Sequence, residues 1–462
     1  MPEPAKPATP LHRLLSHEWL SPLQWRRRLL FWCGAVGVAL AAIAFAKLST
    51  LAYQAFVRII AHRSWLPLLM TPAVFALLAW LTSGALRATR GSGIPQAIAA
   101  LQVEDDVFRH RLLSLRVAAG KMGLTLAALL AGASVGREGP TVHVGAGLLY
   151  SLGRRFGFAE PAAAGRFVLA GAAAGLAAAF NTPLAGVVFA IEEMAGAFEH
   201  RMSGIILTAV IIAGIVSLGL LGNYAYFGTV TIALPLGQSW LAVLLCGVLC
   251  GMAGGLFARI ILLSGGVLSQ IAKLRARFPI PFAAACGLAL ALIGMASADT
   301  VYGTGYDQAR AILQHVTVAP GAGFGGFKFL ANIASYWAGI PGGIFSPALA
   351  VGAGLGQNIA HLLPGSPPAA VVLLGMAAYL AGVTQSPLTS AIISMELTNN
   401  QAMIIPILAV CLIARGSSAL FCHTPVYRAF AQRLVLEYED QRLAGRAPDD
   451  SEPRPRPGLE RS

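Results

Sequence analysis

Three short segments rich in glycine and proline interrupt apolar stretches of the chain and carry groups that could bind an ion. Proline is favoured in the first turn of a helix, so each segment predicts a loop that enters a helix. The first N–H groups of a helix are unpaired and carry partial positive charge, so a helix start that faces a cavity in a membrane can bind an anion without a fixed cation. Ser92 adds a hydroxyl donor. The segments are Gly91-Ser92-Gly93-Ile94-Pro95, Gly136-Arg137-Glu138-Gly139-Pro140 and Gly342-Gly343-Ile344-Phe345-Ser346-Pro347.

Glu138 stands beside this predicted anion site, where a carboxylate is electrostatically unfavourable unless function requires it. An ionised Glu138 could occupy the site as a tethered anion, whereas a protonated Glu138 must leave or become a neutral donor. Ionisable residues inside a membrane are functional candidates by default. The alternative is a structural contact with Arg137, which is disfavoured because adjacent residues on one helix do not face each other.

The surrounding composition is that of a polytopic membrane protein. The 462 residues are 56% hydrophobic and 11% charged, with a mean hydropathy of +0.69, whereas a soluble domain carries about 25% charged residues. No Asp, Glu, Lys or Arg occurs in 202–258 or 329–395, and a spanning helix needs only about 20 apolar residues. The composition excludes a disordered chain, a nucleic-acid-binding module and an ordinary cytosolic enzyme. We expect about a dozen helical segments, many of them broken or short because glycine and proline are frequent.

The positive charges lie in short clusters between the apolar runs. The net charge is +13, and examples are Arg26–Arg28 and the group Lys273, Arg275 and Arg277. This pattern is typical of membrane topology and contact with anionic lipid, and an electropositive approach to an anion pathway is the alternative. Cys246 and Cys250 share a helix face without a histidine or acid beside them, so we predict neither a metal site nor a disulfide.

An internal repeat shows which segments belong together. Segment 168–192 is identical to 372–396 at ten of 25 positions, and a second offset aligns Gly136 with Gly343. In transporters, duplicated halves often face opposite ways, and their broken helices meet near the middle of the membrane. The second and third glycine–proline segments should therefore form one site. Other matched pairs are Pro140/Pro347, Gly145/Gly352, Gly171/Gly375, Pro183/Pro387 and Glu192/Glu396.

Two further acids and two single residues are candidates for roles in this site. The repeat pairs Glu192 with Glu396, which predicts a shared structural role such as capping backbone or pairing. The repeat aligns Glu193 with Leu397, so Glu193 has no acidic counterpart in the second half. It is therefore a candidate for a task found in one half only, such as proton entry. The alternative is an acid at a solvated helix end. Lys121 either supplies positive potential or extends to the interface. Tyr427, at the end of the last apolar segment, is expected in an interfacial aromatic belt.

The order of the three motifs, GSGIP, G(K/R)EGP and GxFxP, resembles the CLC family of chloride channels and chloride/proton antiporters, over about residues 29 to 440. The resemblance implies an all-α polytopic membrane protein with two inverted-repeat halves of broken and tilted helices, in a cell (inner) membrane. It also implies a homodimer with one pathway per subunit. We expect no cofactor, nucleotide or nucleic acid, and chloride and protons as the transported ions. The expected parts are a cytoplasmic leader at 1–28, repeat halves at 29–220 and 221–427, and a cytoplasmic helix with a disordered tail at 428–462.

The resemblance also implies roles for single residues. Ser92 and Tyr427 would donate hydroxyls to a central anion, together with the backbone of Gly343, Ile344 and Phe345. Glu138 would be the external gate and proton acceptor, and Glu193 the internal proton-transfer residue. Chloride/proton exchange is therefore the predicted activity. A passive channel of the same fold and a membrane-embedded acid–base enzyme using Glu138, Glu192 and Glu193 are the alternatives. The supporting residues would be Gly91, Gly93, Pro95, Lys121, Gly136, Arg137, Gly139 and Pro140.

Overall fold

The regular structure of the described residues is helical throughout. The computed structural model describes residues 22–158, 160–195, 204–222, 224–263, 265–314 and 320–445. The first half contains α1 (Pro22–His62), α2 (Pro67–Ser83), α3 (Ile94–Gln102), α4 (Asp106–Leu113), α5 (Leu115–Leu130), α6 (Glu138–Arg155), α7 (Pro161–Phe180), α8 (Pro183–Phe189) and α9 (Gly204–Leu221). The second half contains α10 (Leu241–Leu262), α11 (Gly266–Arg277), α12 (Pro279–Ala296), α13 (Tyr306–Leu313), α14 (Phe324–Trp337), α15 (Phe345–Leu362), α16 (Pro368–Thr384), α17 (Pro387–Thr398), α18 (Ile404–Ala419) and α19 (Val426–Gly445).

These helices are more numerous than the expected dozen because the glycine–proline segments cut apolar stretches into shorter pieces. Within the described residues, five helices are long and apolar enough to cross a membrane. They are Trp25–His62, Asp106–Leu130, Pro161–Phe180, Leu241–Ile261 and Pro279–Ala296. The multi-pass prediction is confirmed, and so is the expectation that many helices are short.

The core of each half is a helix that is buried on all sides. Phe167–Phe180 in α7 and Ala369–Thr384 in α16 are buried without interruption, as expected for a helix that is apolar all round. Glycines let a second helix approach each of them. A Cβ on Gly145 of α6 or Gly171 of α7 would overlap the other's carbonyl oxygen, and Gly352 of α15 and Gly375 of α16 approach each other in the same way. These close crossings explain why the repeat retains glycine there.

Three helix ends lie near the boundaries expected from the sequence. Helix α1 begins at Pro22, so the expected leader boundary at residue 28 falls inside a helix. Helix α9 ends at Leu221, next to the expected division between the halves. The C-terminal helix begins at Val426, two residues before the expected boundary at residue 428. Most of the expected leader and the expected disordered tail, residues 1–21 and 446–462, lie outside the described residues.

Candidate anion pathway

The three glycine–proline segments meet at one point inside the protein. The Gly136 N–H donates to the Gly343 carbonyl oxygen at 2.7 Å, and the Gly343 N–H donates back to the Gly136 oxygen at 2.7 Å. The Gly342 N–H donates to the Gly91 oxygen at 3.2 Å. The reciprocal pair is what two segments related by a two-fold axis would form. The prediction that the repeat brings the two halves' segments together is confirmed.

Each segment ends in a helix whose start is directed by glycine and proline. Gly93 precedes α3 with φ +105°, a left-handed conformation that favours glycine, and a Cβ there would lie 2.6 Å from the His143 Cβ. Pro95 and Pro140 lie in the first turns of α3 and α6, where a missing N–H costs nothing. Gly139 lies against Ser92, whose Oγ a Cβ at position 139 would overlap.

Two hydroxyls in this region have no partner. The side chains of Ser92 and Tyr427 are 1% and 0% exposed, and neither oxygen has a hydrogen-bond partner among the described residues. The two groups lie close enough to interact. The Tyr427 ring stacks on Phe345, with ring centroids 5.9 Å apart. Full burial shows that the interfacial-belt interpretation of Tyr427 is wrong. A buried hydroxyl without a partner is costly, so both oxygens are suited to hold a ligand.

The backbone donors beside these hydroxyls come from the start of α15. Ile344 is the N-cap residue and Phe345 the first residue of this helix, so their N–H groups have no partner within it. Gly343 differs from its neighbours because its N–H is already bonded to Gly136. This bond removes Gly343 from the expected donor set and gives it the task of joining the two segments.

Glu138 projects into the same region from the start of α6. Its side chain is fully buried, and its Oε1 accepts a hydrogen bond of 2.5 Å from Oγ of Ser346, in the first turn of α15. Its Oε2 has no partner among the described residues. Arg137 turns away and donates to the Ala46 carbonyl oxygen at 2.7 Å and to Thr50 Oγ1 at 3.2 Å. The alternative of a structural Arg137–Glu138 contact is therefore not formed.

Glu193 lies in a single π-helical turn, Ala190–Ala195, that follows α8. π-Helical turns are rare and are often found at functional sites. The Glu193 side chain is 2% exposed and accepts a hydrogen bond from Ser386 Oγ, at the N-cap of α17. Its second oxygen has no partner among the described residues. The alternative of a solvated helix end is therefore wrong for Glu193.

Glu192 and Glu396 have the structural role that the repeat predicts. The Glu192 carboxylate accepts from the N–H groups of Leu388 at 3.1 Å and Thr389 at 2.6 Å, at the start of α17. The Glu396 carboxylate accepts from Leu184 at 3.2 Å and Ala185 at 2.6 Å, at the start of α8. The predicted backbone capping is confirmed. Because both Glu192 oxygens are engaged in capping, Glu192 has no free oxygen for the role that the acid–base alternative gives it.

Lys121 is a buried support for the first segment. Its side chain is 0% exposed, and its Nζ donates to the Gly91 carbonyl oxygen at 2.9 Å. Extension to the membrane interface is thus excluded. Lys328, at the repeat offset that aligns Gly136 with Gly343, is also buried and donates to the carbonyl oxygens of Val301 and Gly303 at 2.8 Å. The same offset could have identified Lys328 from the sequence.

Three other residues of this region were missed by the sequence analysis. Ser346 donates to the buried Glu138 and Ser386 to the buried Glu193, and these pairs are visible only in the folded chain. Tyr226 comes from the polar loop between the halves, is 4% exposed and packs edge-on against Phe180 at 5.3 Å. Together with Arg137 it lines an open cavity of about 490 Å³ next to Glu138. Arg137 precedes Glu138 in the chain, so this cavity lies close to the Glu138 end of the candidate pathway, while Glu138 itself is fully buried.

Comparison with known proteins assigns the family. Residues 74–419 match the family described as voltage gated chloride channel. The chain belongs to this family, the CLC proteins. A CLC relative named H(+)/Cl(-) exchange transporter ClcA, from Cronobacter sakazakii, is 32% identical over 419 residues, which cover 83% of this chain and 84% of that protein. A protein of the same name from Klebsiella pneumoniae is 30% identical over 376 residues, covering 77% and 76% of the two chains.

Solved CLC structures share the fold. A slow cyanobacterial Cl-/H+ antiporter has a TM-score of 0.75 at 23% identity and covers 90% of this chain and 99% of its own. A CLC-type fluoride/proton antiporter has a TM-score of 0.73 at 23% identity, with coverages of 88% and 99%. The predicted CLC-type fold with two inverted halves is confirmed.

Proposed function

We propose that this chain is a secondary-active transporter that exchanges chloride for protons. The observation that carries the proposal is the position of Glu138. Its buried carboxylate reaches from one repeat half to the first turn of α15 in the other half, where it accepts from Ser346. A helix start is suited to an anion, so a tethered carboxylate and a free chloride would compete for overlapping space at the start of α15.

The competition gives a physical basis for coupling. An ionised Glu138 holds the Ser346 hydroxyl at the α15 start and excludes chloride from the adjacent donors by its charge and volume. Protonation removes its negative charge, and chloride can then take its place between Ser92, Tyr427 and the N–H groups of Ile344 and Phe345. These donors are all neutral, so the ion is held without the strong attraction of a fixed cation and can leave quickly.

Glu193 is suited to carry the proton on the other side of the central site. The Tyr427 hydroxyl lies within electrostatic range of both Glu138 and Glu193, so both carboxyls are near the region where the anion would bind. Glu193 has one hydroxyl partner and one free oxygen. It can therefore gain or lose a proton without breaking a backbone cap, which Glu192 cannot do.

The test uses purified protein in liposomes with an imposed chloride gradient, a clamped voltage, and external chloride and pH recorded together. We expect chloride to drive protons uphill. Glu138→Gln should keep anion flux and abolish proton movement, and Glu193→Gln should keep anion flux and lose coupling. Glu192→Gln is the matched control: it removes the adjacent acid and should keep the proton-to-chloride ratio even if the protein is less stable. Chloride flux without proton movement in the unmodified protein would make it a passive channel.

The membrane location, the homodimer and the absence of a cofactor are part of the same proposal. The relatives are bacterial transporters, which supports a multi-pass location in a bacterial inner membrane. One chain contains all the groups of the candidate anion site, so one subunit is sufficient for one pathway. The homodimer is proposed from membership of the CLC family. Within the described residues no group of three or more His, Cys, Asp or Glu side chains could hold a metal ion, and the proposed exchange needs no cofactor.

A further inference from the structure

Two arginines from distant parts of the sequence converge on one glycine. Arg90 precedes the first glycine–proline segment, and Arg275 lies near the end of α11. A Cβ built on Gly339 would lie 2.8 Å from Arg90 Nε and 2.8 Å from Arg275 Nη2. Gly339 has φ +74°, which favours glycine, so the backbone leaves this space open for the two guanidinium groups.

No carboxylate forms an ion pair with Arg90 or Arg275 among the described residues. The ion pairs found there join Arg87 to Glu437 and Arg154 to Asp106. Arg275 Nε is buried and has no hydrogen-bond partner in the same part of the chain. Burial is the main cause that lowers the pKa of Arg275, and the neighbouring Arg90 charge lowers it further. Glu437, which is already paired with Arg87, is the carboxylate that acts on Arg90, and Arg433 adds a further positive charge near Arg275. The excess of positive charge around this pair indicates a place for an anion.

Arg90 directly precedes the segment that carries Ser92, which puts the pair at the Ser92 end of the proposed pathway, here called its mouth. The Arg90 carbonyl oxygen is fixed by Gln96 Nε2 at 2.6 Å and by Lys121 Nζ at 3.4 Å. The Arg90 side chain is exposed and Arg275 is half-buried, so the pair is open to solvent. Tyr336 interacts with both guanidinium groups, and its hydroxyl lies 3.8 Å from the Cβ position of Gly91.

We propose that Arg90 and Arg275 form a binding site for a phosphate-type oxyanion, and that the bound oxyanion slows chloride passage at this mouth. A guanidinium presents a planar fork of N–H donors that matches two oxygens of one oxyanion, and two such groups balance a double negative charge. The transport donors are neutral, as fast release requires, whereas this pair is fully charged. The charge difference assigns the pair to a retained regulator rather than to the transported ion.

Binding tests the site without any transport measurement. Inorganic phosphate is titrated into detergent-purified protein by calorimetry at constant ionic strength and fixed chloride. We expect saturable binding that weakens about tenfold or more in Arg275→Gln and less in Arg275→Lys, which keeps the charge but loses the fork. Arg277→Gln, two residues along the same helix and exposed, is the matched control and should bind as the unmodified protein does. Equal phosphate binding in Arg275→Gln and Arg277→Gln would overturn the site.

Transport tests the slowing effect, which rests on the proposed function. Chloride efflux is measured from vesicles of neutral lipid with and without phosphate on both sides, and each variant is normalised to its own phosphate-free rate. We expect phosphate to slow the unmodified protein and Arg277→Gln, and to slow Arg275→Gln much less. Vesicles containing phosphatidic acid distinguish a lipid headgroup from a soluble oxyanion. If the lipid headgroup occupies the site, these vesicles should show slow efflux without added phosphate. Binding without any slowing in either vesicle type would overturn the regulatory part, and absence of chloride flux under all conditions would contradict the proposed function instead.

Discussion

Four acidic side chains, one at the start of α6 and three beside the short helices α8 and α17, differ in the groups that they accept hydrogen bonds from. Glu192 and Glu396 each accept two backbone N–H groups, one at each oxygen. Glu138 and Glu193 each accept one serine hydroxyl and keep one oxygen free. A carboxylate that caps backbone N–H groups on both oxygens is fixed in place. A carboxylate with a single hydroxyl partner can be displaced by another anion or can take up a proton. The partner atoms therefore separate structural acids from transport candidates.

The hydroxyl of Ser346 should set how strongly Glu138 competes with chloride. A hydrogen bond to a charged group contributes about 1.5–3 kcal/mol, so Ser346→Ala should weaken the carboxylate's hold on the donors at the α15 start. We expect chloride to bind about tenfold more tightly in isothermal titration. Ser394→Ala is the control, because that buried hydroxyl bonds only within its own helix, to the Ser390 carbonyl oxygen at 2.8 Å. Weaker chloride binding in Ser346→Ala would mean that the serine serves the anion instead.

At the scale of elements, the sequence was sufficient for the features that the repeat records. The matched glycines and prolines predicted which loops meet, and the pair Glu192/Glu396 predicted a shared cap. The sequence did not predict features that depend on a neighbour from another part of the chain. Tyr427 was expected at the interface because nothing in its own segment shows that Phe345 covers it. Gly343 was expected to face the anion because its bond to Gly136 exists only after folding.

The two buried lysines allow the first segment to be tested against a matched control. Lys121 holds the loop that carries Ser92, and Lys328 holds the corresponding loop at Gly303. Replacing either lysine by methionine leaves carbonyl oxygens without a donor, so both variants should melt at a lower temperature. Only Lys121→Met should also weaken chloride binding in titration, because it alone frees the Ser92 loop. Equal loss of chloride affinity in both variants would show that the effect is general loosening.

The C-terminal helix should undock from the α4 start in acid. Tyr438 donates to Asp105 Oδ2 at 2.7 Å, while Oδ1 accepts from the N–H groups of Val107 and Phe108. The tyrosine, and then the backbone donors, lower the pKa of Asp105. This stabilisation is complete above the unfolded pKa of about 4 and is lost as pH falls through the lowered folded value.

Tyr438→Phe removes the largest cause of that lowering, so undocking should begin at a higher pH. Spin labels on α19 and α4 would report their separation by electron–electron resonance across an acid titration. Tyr224→Phe, a tyrosine beside the cavity near Glu138, is the control and should leave the midpoint unchanged. An unchanged midpoint in Tyr438→Phe would mean that other contacts hold α19, such as the pair Arg87–Glu437 at 3.0 Å.

At the scale of the whole molecule, the candidate site is completed by folding one chain around an internal two-fold relation. Ser92 and Glu138 come from the first half, and the α15 start and Tyr427 from the second. Neither half alone has a full donor set. A second copy of the chain is not required to supply any of these groups, so the proposed homodimer would contain two separate pathways.

Separate pathways make a measurable prediction for mixed dimers. A dimer of one unmodified and one Glu138→Gln subunit, isolated by two different affinity tags, should keep about half of the proton movement of the unmodified dimer. Its chloride flux should continue through both subunits, because the glutamine cannot compete as an anion. The variant dimer with two Glu138→Gln subunits gives the baseline. Complete loss of proton movement in the mixed dimer would show that the pathways act together, and failure to recover any doubly tagged species would contradict the homodimer itself.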